Sequence, residues 1–354
     1  MKSLLAVVLG AAQDLFPGYF ALVMATGIVA IACHLEGIPA VPAALAGINW
    51  IAYAILCLLT LIRIFCFPRE LLHDFSDHLH GPGFFTIVAA TSVLGAQAHA
   101  VEHAESLAFV LWVLAVGLWC LITYPFFIAM VVAEQKPPLG SGINGGWLIA
   151  VVATQSIVVL CGLLGADAVP SFEIQFLCLI LFLVGGMLYL FIIILIFYRL
   201  HFFPFSPRQF DPLYWIDMGG AAISVLAGSL LLLRANAWPI LGAYIPFLKG
   251  ITLFFWAAAT WWIPFLVALM VWRYVVRKDK LRYEPPLWGI VFPLGMYAAA
   301  TFELIRAAER LAFLGALSRI FMFAALAAWV FTFFGFLWHL ITAGFCKKQR
   351  VSQT

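Results

Sequence analysis

The chain consists of long apolar stretches separated by short segments that hold most of its charged residues. A helix that crosses a bilayer needs about 20 mostly apolar residues. Ten stretches reach or approach this length, and the third and ninth are the shortest. The predicted spans are approximately Phe16–Cys33, Ala44–Phe65, Gly83–Gln97, Leu107–Val131, Gly145–Leu163, Phe172–Phe197, Leu213–Leu233, Ile251–Tyr274, Leu287–Glu303 and Leu314–Ala343.

Composition excludes a soluble globular protein. The chain has 354 residues, of which 65% are hydrophobic and 10% charged. Soluble domains have about 25% charged residues, so this chain lacks the polar groups to cover a globule. Within a bilayer the backbone must satisfy its own hydrogen bonds, as helices do. The sequence therefore predicts an all-α polytopic membrane protein that forms a single transmembrane domain over residues 1–354.

Basic residues are concentrated in alternate connections between the predicted spans. Fourteen of the 19 Lys and Arg residues fall on the side that contains both termini. Because cytoplasmic loops are enriched in Lys and Arg, we expect both termini in the cytoplasm and the protein in the inner (plasma) membrane. The net charge of +3 follows from this bias and gives no indication of nucleic-acid binding.

The two ends of the chain are predicted to lie outside the spans. Residues 1–15 imitate a signal peptide, with one lysine and a short apolar run. Cleavage would place the new terminus outside, against the charge bias, so we interpret them as a cytoplasmic lead-in helix. Residues 344–354 are interpreted as a cytoplasmic tail.

The five odd-numbered spans share a pattern. Each opens at or just after Pro or Gly, as in "PGYFALVMATG" and "PGFFTIVAATS". An aromatic residue follows at the third place (Tyr19, Phe84, Trp147, Trp215, Trp288), and a small or hydroxyl residue comes seven positions later (Thr26, Thr91, Thr154, Ala222, Gly295). Seven residues make two helical turns, so both lie on one face. This predicts a helical hairpin used five times in the same orientation, with close packing and an aromatic interfacial belt as the alternative explanation.

Three segments carry a family resemblance: "PGYFALVMATGI" in span 1, "NGGWLIAVVATQSI" in span 5 and "PPLWGIVFPLGMYAAATFE" in span 9. With the ten-span plan, they resemble the tellurite-resistance/dicarboxylate transporter (TDT) family. That family includes TehA-like proteins, the slow-type (S-type) anion channels of plant guard cells, and fungal malate and sulfite transporters. The resemblance implies an inner ring of odd helices around a central pore, an outer ring of even helices, and a homotrimer with one pore per subunit.

The resemblance also implies a gate. In channel members a phenylalanine on the ninth helix plugs the pore, and the matching residue here is Phe292. Pro293 removes one backbone hydrogen bond, so we expect a kink that turns the Phe292 ring into the lumen. The alternative is that Phe292 only packs against its neighbours, as one of 33 phenylalanines.

Seven small or hydroxyl residues of the odd-numbered spans are predicted to line the pore. They are Thr26, Gly27, Thr91, Thr154, Gly219, Gly220 and Gly295. The threonine hydroxyls are expected to donate hydrogen bonds to a dehydrated anion, since selectivity can come from diameter and lining dipoles. Alternatively, these hydroxyls bond to their own helix backbone.

Ionisable residues within spans are functional candidates. Asp217 occupies a position where the aligned spans carry Ala, Thr or Ile. It is predicted either to couple protons or to repel one class of anion, or else to be an interfacial carboxylate paired with a basic loop residue. Glu303 and Arg306 lie three residues apart and are expected to pair, with Arg306 as an anion attractor at the outer mouth as the alternative.

No cofactor or metal site is predicted. The seven cysteines contain no CxxC motif, so neither a disulfide framework nor a zinc site follows from them. The segment "HDFSDHLH" (residues 73–80) and the pair His99 and His103 contain ligand types without a standard spacing. A haem protein or membrane enzyme fits poorly, because His34 and His339 form no paired axial set and no HExxH, GxSxG or P-loop motif occurs.

The sequence thus favours an anion channel or facilitator for small inorganic or dicarboxylate anions, gated by Phe292. The alternative is a proton-coupled secondary transporter of a C4-dicarboxylate such as malate, of sulfite, or of a tellurite-related oxyanion, with Asp217 as the coupling residue. The two hypotheses differ in whether flux depends on a proton gradient.

Overall fold

The structure is a computed structural model that describes the backbone of residues 2–168, 171–280, 282–308 and 310–351, and the side chains of residues 5–165, 171–280, 282–308 and 310–342. These parts of the chain are helical and contain no strand. The described residues form ten helices that are long and apolar enough to span a membrane, which confirms the predicted all-α polytopic fold class. We label them α1–α10 in chain order: Pro17–Leu35, Val41–Cys66, Gly81–Ala100, Glu105–Val132, Gly145–Gly165, Phe172–Phe202, Pro212–Arg234, Pro239–Val276, Pro285–Ala307 and Ala312–Thr342.

The boundaries of α8 differ most from the prediction. The predicted span began at Ile251, after the charged Lys249, but the helix begins earlier with a 3-10 turn over Pro239–Tyr244. A proline in the first turn of Ile245–Val271 is tolerated because its missing N–H would be unpaired there anyway. Outside the spans, a helix over Lys2–Gln13 packs against α2, a helix over Pro68–Phe75 precedes α3, and the last helix continues to Val351.

Odd and even helices occupy different positions in the bundle. At least 83% of the most apolar window of each odd helix is buried, against at most 39% for each even helix. The odd helices contact one another in the order α1, α3, α5, α7 and α9, and α9 returns to α1. The fold is therefore a closed ring of five buried helices, with the five even helices packed on its outside.

Each ring helix begins with a short 3-10 turn. The turns cover Pro17–Phe20, Gly81–Phe84, Gly145–Leu148, Pro212–Trp215 and Pro285–Leu287. They coincide with the Pro and Gly positions that open the shared sequence pattern. The aromatic residue of the third turn ties it to its surroundings, since Trp147 Nε1 donates to the carbonyls of His78 and Gly142.

At least one aromatic side chain from every even helix hydrogen-bonds to a ring helix, which for α2, α4, α6 and α8 is the next helix in the chain. The pairs are Tyr53 with Thr91 (2.8 Å), Trp119 with Thr154 (2.9 Å), Tyr189 with the Asp217 carbonyl (3.1 Å), Trp256 with Thr301 (3.2 Å) and, from α10 back to α1, Trp329 with Thr26 (2.9 Å). Tyr and Trp bring a polar group into an apolar contact and need a partner there. These bonds attach the outer helices to the ring in a fivefold pattern.

A disulfide joins Cys161 near the end of α5 to Cys178 near the start of α6. The sequence predicted no disulfide, because these cysteines belong to no recognisable motif and lie within apolar stretches. The antiparallel packing of α5 against α6 brings them together. Cys33, Cys57, Cys66 and Cys120 are free.

Candidate functional site

The inward face of each ring helix is a stripe of residues three or four positions apart, with one turn skipped on α3 and on α7. On α9 the stripe consists of Gly289, Phe292, Met296, Ala299 and Glu303, a spacing that keeps side chains on one helix face. The five stripes enclose two small cavities. One of about 20 Å³ lies where the ring helices begin, and one of about 40 Å³ lies where they end. We call them the N-terminal cavity and the C-terminal cavity. A water molecule needs roughly 10–15 Å³, so each cavity holds only a few waters.

Phe292 lies at the boundary between the two cavities. It lines the N-terminal cavity, whereas Met296, one turn further along α9, lines the C-terminal cavity. The Phe292 side chain is 2% exposed. Helical backbone continues through Pro293, within Trp288–Ala307, so the expected kink does not interrupt the helix. The buried Phe292 side chain therefore lies between the C-terminal cavity and the rest of the N-terminal cavity lining on α9.

The three threonines expected to line a pore are not in the linings of these cavities. Thr26, Thr91 and Thr154 instead bond to aromatic side chains of the outer helices. Thr91 and Thr154 also donate to the carbonyls of Ile87 and Ala150 on their own helices, at 2.8 Å in both cases. The structure places these hydroxyls between the ring helices and the outer helices. For Thr91 and Thr154 it also shows the alternative, a hydrogen bond to the backbone of their own helix.

Two serines that the sequence analysis did not single out face the C-terminal cavity. Ser92 of α3 and Ser156 of α5 line it and are both buried. Ser156 Oγ donates to the carbonyl of Ala153 at 2.8 Å. Within the described part of the chain, Ser92 Oγ has no hydrogen-bond partner. The sequence contained a signal for Ser92, because it directly follows Thr91. Consecutive residues on a helix point about 100° apart, so the two hydroxyls lie on different faces of α3.

The glycines expected to line a pore lie at close contacts between helices. An added Cβ would lie 2.8 Å from Val93 Cγ1 at Gly27 and 3.0 Å from Ile28 Cγ2 at Gly295. At Gly219 it would lie 2.8 Å from a Pro293 carbon, and at Gly220 it would lie 3.4 Å from a Tyr189 carbon. None of the four lines either cavity. These glycines let membrane helices approach closely, as small residues commonly do.

Asp217 is fully buried in the first turns of α7, outside both cavities. In the described part of the chain, neither carboxylate oxygen has a hydrogen-bond partner. The positively charged group that acts on it electrostatically is Arg199 of α6. That guanidinium donates from Nε to the Gly140 carbonyl at 3.0 Å and lies over the Tyr214 ring. Asp217 is thus a buried carboxyl group between α6 and α7, and the described residues do not show the alternative pairing with a basic loop residue.

Glu303 and Arg306 form the predicted pair at the end of α9. Arg306 Nη1 donates to both carboxylate oxygens of Glu303 at 2.9 Å. Glu303 is 4% exposed at its side chain and Arg306 is 57% exposed. Glu303 also lines the C-terminal cavity. The pair therefore joins two side chains of α9, and one of them faces the axis of the ring.

The histidine-containing segments are engaged in ordinary polar contacts. Asp74 pairs with Arg63 at 2.6 Å, and His99 Nδ1 lies 2.8 Å from a carboxylate oxygen of Glu105. Across the described ranges, no group of three or more His, Cys, Asp and Glu side chains is arranged to hold a metal ion.

A family model described as voltage-dependent anion channel (SLAC1) matches residues 14–337. The match includes all of α1–α9 and most of α10. The chain belongs to the voltage-dependent anion channel family. This confirms the resemblance to the TDT family inferred from α1, α5 and α9.

This member of the voltage-dependent anion channel family is similar to proteins of a bacterium and of an archaeon. The chain is 40% identical over 142 residues to an uncharacterized membrane protein of Mycobacterium tuberculosis, covering 40% of this chain and 71% of that one. It is 26% identical over 299 residues to an uncharacterized transporter of Methanocaldococcus jannaschii, covering 82% and 83%. A second transporter of that archaeon is 24% identical over 293 residues, covering 80% and 82%.

Membership of the voltage-dependent anion channel family establishes the general activity. The protein is a multi-pass membrane transporter or anion channel, from a family of transporters and channels rather than of enzymes.

Proposed function

We propose that the protein is an anion channel, that small anions cross along the axis of the ring formed by α1, α3, α5, α7 and α9, and that Phe292 is the gate. The observation that carries this proposal is the position of the buried Phe292 side chain at the boundary between the two cavities inside the ring. Moving the phenyl group of Phe292 aside would join the two cavities. A dry aromatic constriction between wider regions is a known means of gating a pore.

The lining of the C-terminal cavity supports anions as the permeant species. Its walls are apolar except for Ser92, Ser156 and the compensated carboxylate of Glu303. The Ser92 hydroxyl, which has no hydrogen-bond partner in the described part of the chain, is free to donate to a partly dehydrated anion. Weak donors of this kind suit conduction, because an ion must also be able to leave.

Phe292→Ala tests the gate. Purified protein in planar bilayers under a chloride gradient should be nearly silent as wild type, and the variant should carry at least about tenfold more anion-selective current. Phe255→Ala is the matched control, because Phe255 is equally buried but packs against Tyr189 of α6 away from the axis. Equal currents from the two variants, or a silent Phe292→Ala, would reject the gate.

The second candidate, a proton-coupled transporter, is favoured by one observation. Asp217 is a buried carboxyl group whose oxygens have no hydrogen-bond partner in the described part of the chain, and intramembrane carboxyl groups commonly serve as proton carriers. In this mode malate or sulfite uptake into proteoliposomes would require a pH gradient, and Asp217→Asn would abolish that dependence. Uptake that follows the anion gradient alone, in wild type and variant, would exclude it.

We also propose that the N-terminal cavity faces the cytoplasm of a plasma-membrane protein, in keeping with the distribution of basic residues. In a background in which the native Cys66, Cys120 and Cys346 are replaced by Ser, cysteines introduced at Gln135 and Asn236, both exposed and at opposite ends of the bundle, distinguish the orientations. A membrane-impermeant thiol reagent applied to intact cells should label only Asn236→Cys. Labelling of only Gln135→Cys would invert the assignment. The homotrimer implied by the resemblance stays a prediction.

A further inference from the structure

Glu303 occupies the end of the axial path. It is the last residue of the α9 stripe and lines the C-terminal cavity at the level of the last lining residues of the other ring helices. Among the described residues that line this cavity, it carries the one charged side chain. An anion that crosses the cavity therefore passes a carboxylate.

The charge of this carboxylate is compensated by residues outside the cavity. Arg306 binds both carboxylate oxygens and is more than half exposed. Arg234 of α7 also acts on Glu303 electrostatically, but its guanidinium is fixed by bonds to the carbonyls of Gly162 and Leu163 at 2.7 and 2.9 Å. Arg306 is thus the bonded partner whose removal would expose the carboxylate charge to the cavity.

We propose that the Glu303–Arg306 pair determines which anions pass the C-terminal end of the path, an inference that rests on the proposed anion channel. Like charges repel, and repulsion strengthens where the surroundings have a low dielectric constant. With Arg306 in place, the carboxylate is neutralised and anions pass. Without it, the ionised carboxylate opposes them, and the opposition to a divalent anion is twice as large in energy as that to a monovalent one. Because an unpaired buried carboxylate tends to take up a proton, the currents are compared at alkaline pH.

The chain contains a matched pair that lacks the axial position. Arg319 of α10 donates from Nε to Glu36 at 3.2 Å. As in the Glu303–Arg306 pair, the acidic side chain, Glu36, is buried at 6% exposure and the basic side chain, Arg319, is exposed at 66%. Glu36 does not line the C-terminal cavity. Removing Arg319 therefore controls for the loss of an ion pair at the same end of the bundle.

The test is made in the Phe292→Ala background, with chloride and sulfate currents and reversal potentials measured in planar bilayers. Arg306→Gln should lower chloride current on the order of tenfold and sulfate current on the order of a hundredfold, because the energy scales with valence. Glu303→Gln keeps the side-chain volume and leaves Arg306 as an uncompensated cation. It should change permeability in the opposite direction, raising sulfate relative to chloride. Arg319→Gln should change neither.

Opposite effects of the two substitutions are what a purely structural ion pair would not produce. Equal losses in Arg306→Gln and Glu303→Gln, or an Arg306→Gln variant indistinguishable from Arg319→Gln, would overturn the inference while leaving the channel intact. If Arg306→Gln fails to fold, the rise in relative sulfate permeability of Glu303→Gln decides alone. A Phe292→Ala protein without anion current would overturn the proposed function, and this inference with it.

Discussion

Replacing Thr154 with Val tests whether the hydroxyls of the shared pattern hold the helices together rather than contact an anion. Valine keeps the branched shape but removes the acceptor of the Trp119 Nε1–H bond, which measures 2.9 Å. Both side chains are buried, so the indole N–H is left without a partner between α4 and α5. An unpaired buried donor costs about 1–3 kcal/mol, and interhelical hydrogen bonds in a membrane protein average about 0.6 and reach about 1.7 kcal/mol. We expect the free energy of unfolding to fall by about 1–2 kcal/mol.

The measurement is a double-mutant cycle in detergent micelles, with reversible unfolding followed by near-ultraviolet circular dichroism. Thr154→Ser keeps the hydroxyl and should cost less than Thr154→Val. Trp119→Phe removes the donor, and the double variant removes both partners, which is less costly than leaving one unpaired. The coupling free energy should lie at about 0.6–1.7 kcal/mol. A coupling energy of zero would show that the bond does not stabilise the contact.

The same variant has a functional expectation that separates it from an axial residue. In the Phe292→Ala background, Thr154→Val should leave the chloride-to-nitrate permeability ratio unchanged, because Thr154 lines neither cavity. Ser92→Ala should show the converse, a changed ratio with little loss of stability, since the described structure contains no partner for the Ser92 hydroxyl to lose. A changed ratio in Thr154→Val at unchanged stability would refute the reasoning and return that hydroxyl to the axis.

Two further predictions concern packing and pH. Gly219→Ala adds a carbon 2.8 Å from Pro293, closer than the roughly 3.5–4.0 Å of carbon contacts. It should lower stability by about 1–3 kcal/mol, whereas Gly117→Ala, with open space around it, should be neutral or stabilising in the same unfolding assay; equal effects would refute the contact. The Arg273 hydrogen bond lowers the pKa of Asp279 below its ordinary value of 3.8. The stabilisation of the folded protein by this pair is fully present above pH 3.8, and it is lost as the pH falls through the lowered folded-state pKa of Asp279. Asp279→Asn should therefore show a smaller drop in thermal stability than wild type across that acid range, and identical drops would contradict the pairing.

The number and class of the helices could be predicted from the sequence because both follow from one constraint. A chain that is 65% hydrophobic must bury its backbone polar groups in helices of membrane-spanning length. Boundaries were less predictable where a charged residue interrupts an apolar run, as Lys249 does in α8. The Cys161–Cys178 pairing was not predictable, since it depends on how α5 and α6 pack.

The inward-facing residues were only partly predictable. A repeat of seven residues shows that two positions share a face, but it does not show whether that face meets the axis or an outer helix. The choice depends on the rotation of each helix about its own axis, which the partners on the even helices fix. Thr154 therefore turned outward to Trp119, while Ser156, about 200° further around the helix, turned inward.

The two ring helices that depart from the pattern show what the hydroxyl is for. At the place of the threonines, α7 has Ala222 and α9 has Gly295, and neither can accept a side-chain hydrogen bond. In both helices the aromatic donor from the outer ring bonds elsewhere: Tyr189 to a backbone carbonyl of α7 and Trp256 to Thr301. If the hydroxyls at these positions served a permeating anion, their absence from α7 and α9 would not require the outer helices to bond to other acceptors. The outer helices do bond to other acceptors there. The compensation indicates that the constant feature of the pattern is a buried acceptor for an aromatic side chain of the outer helices.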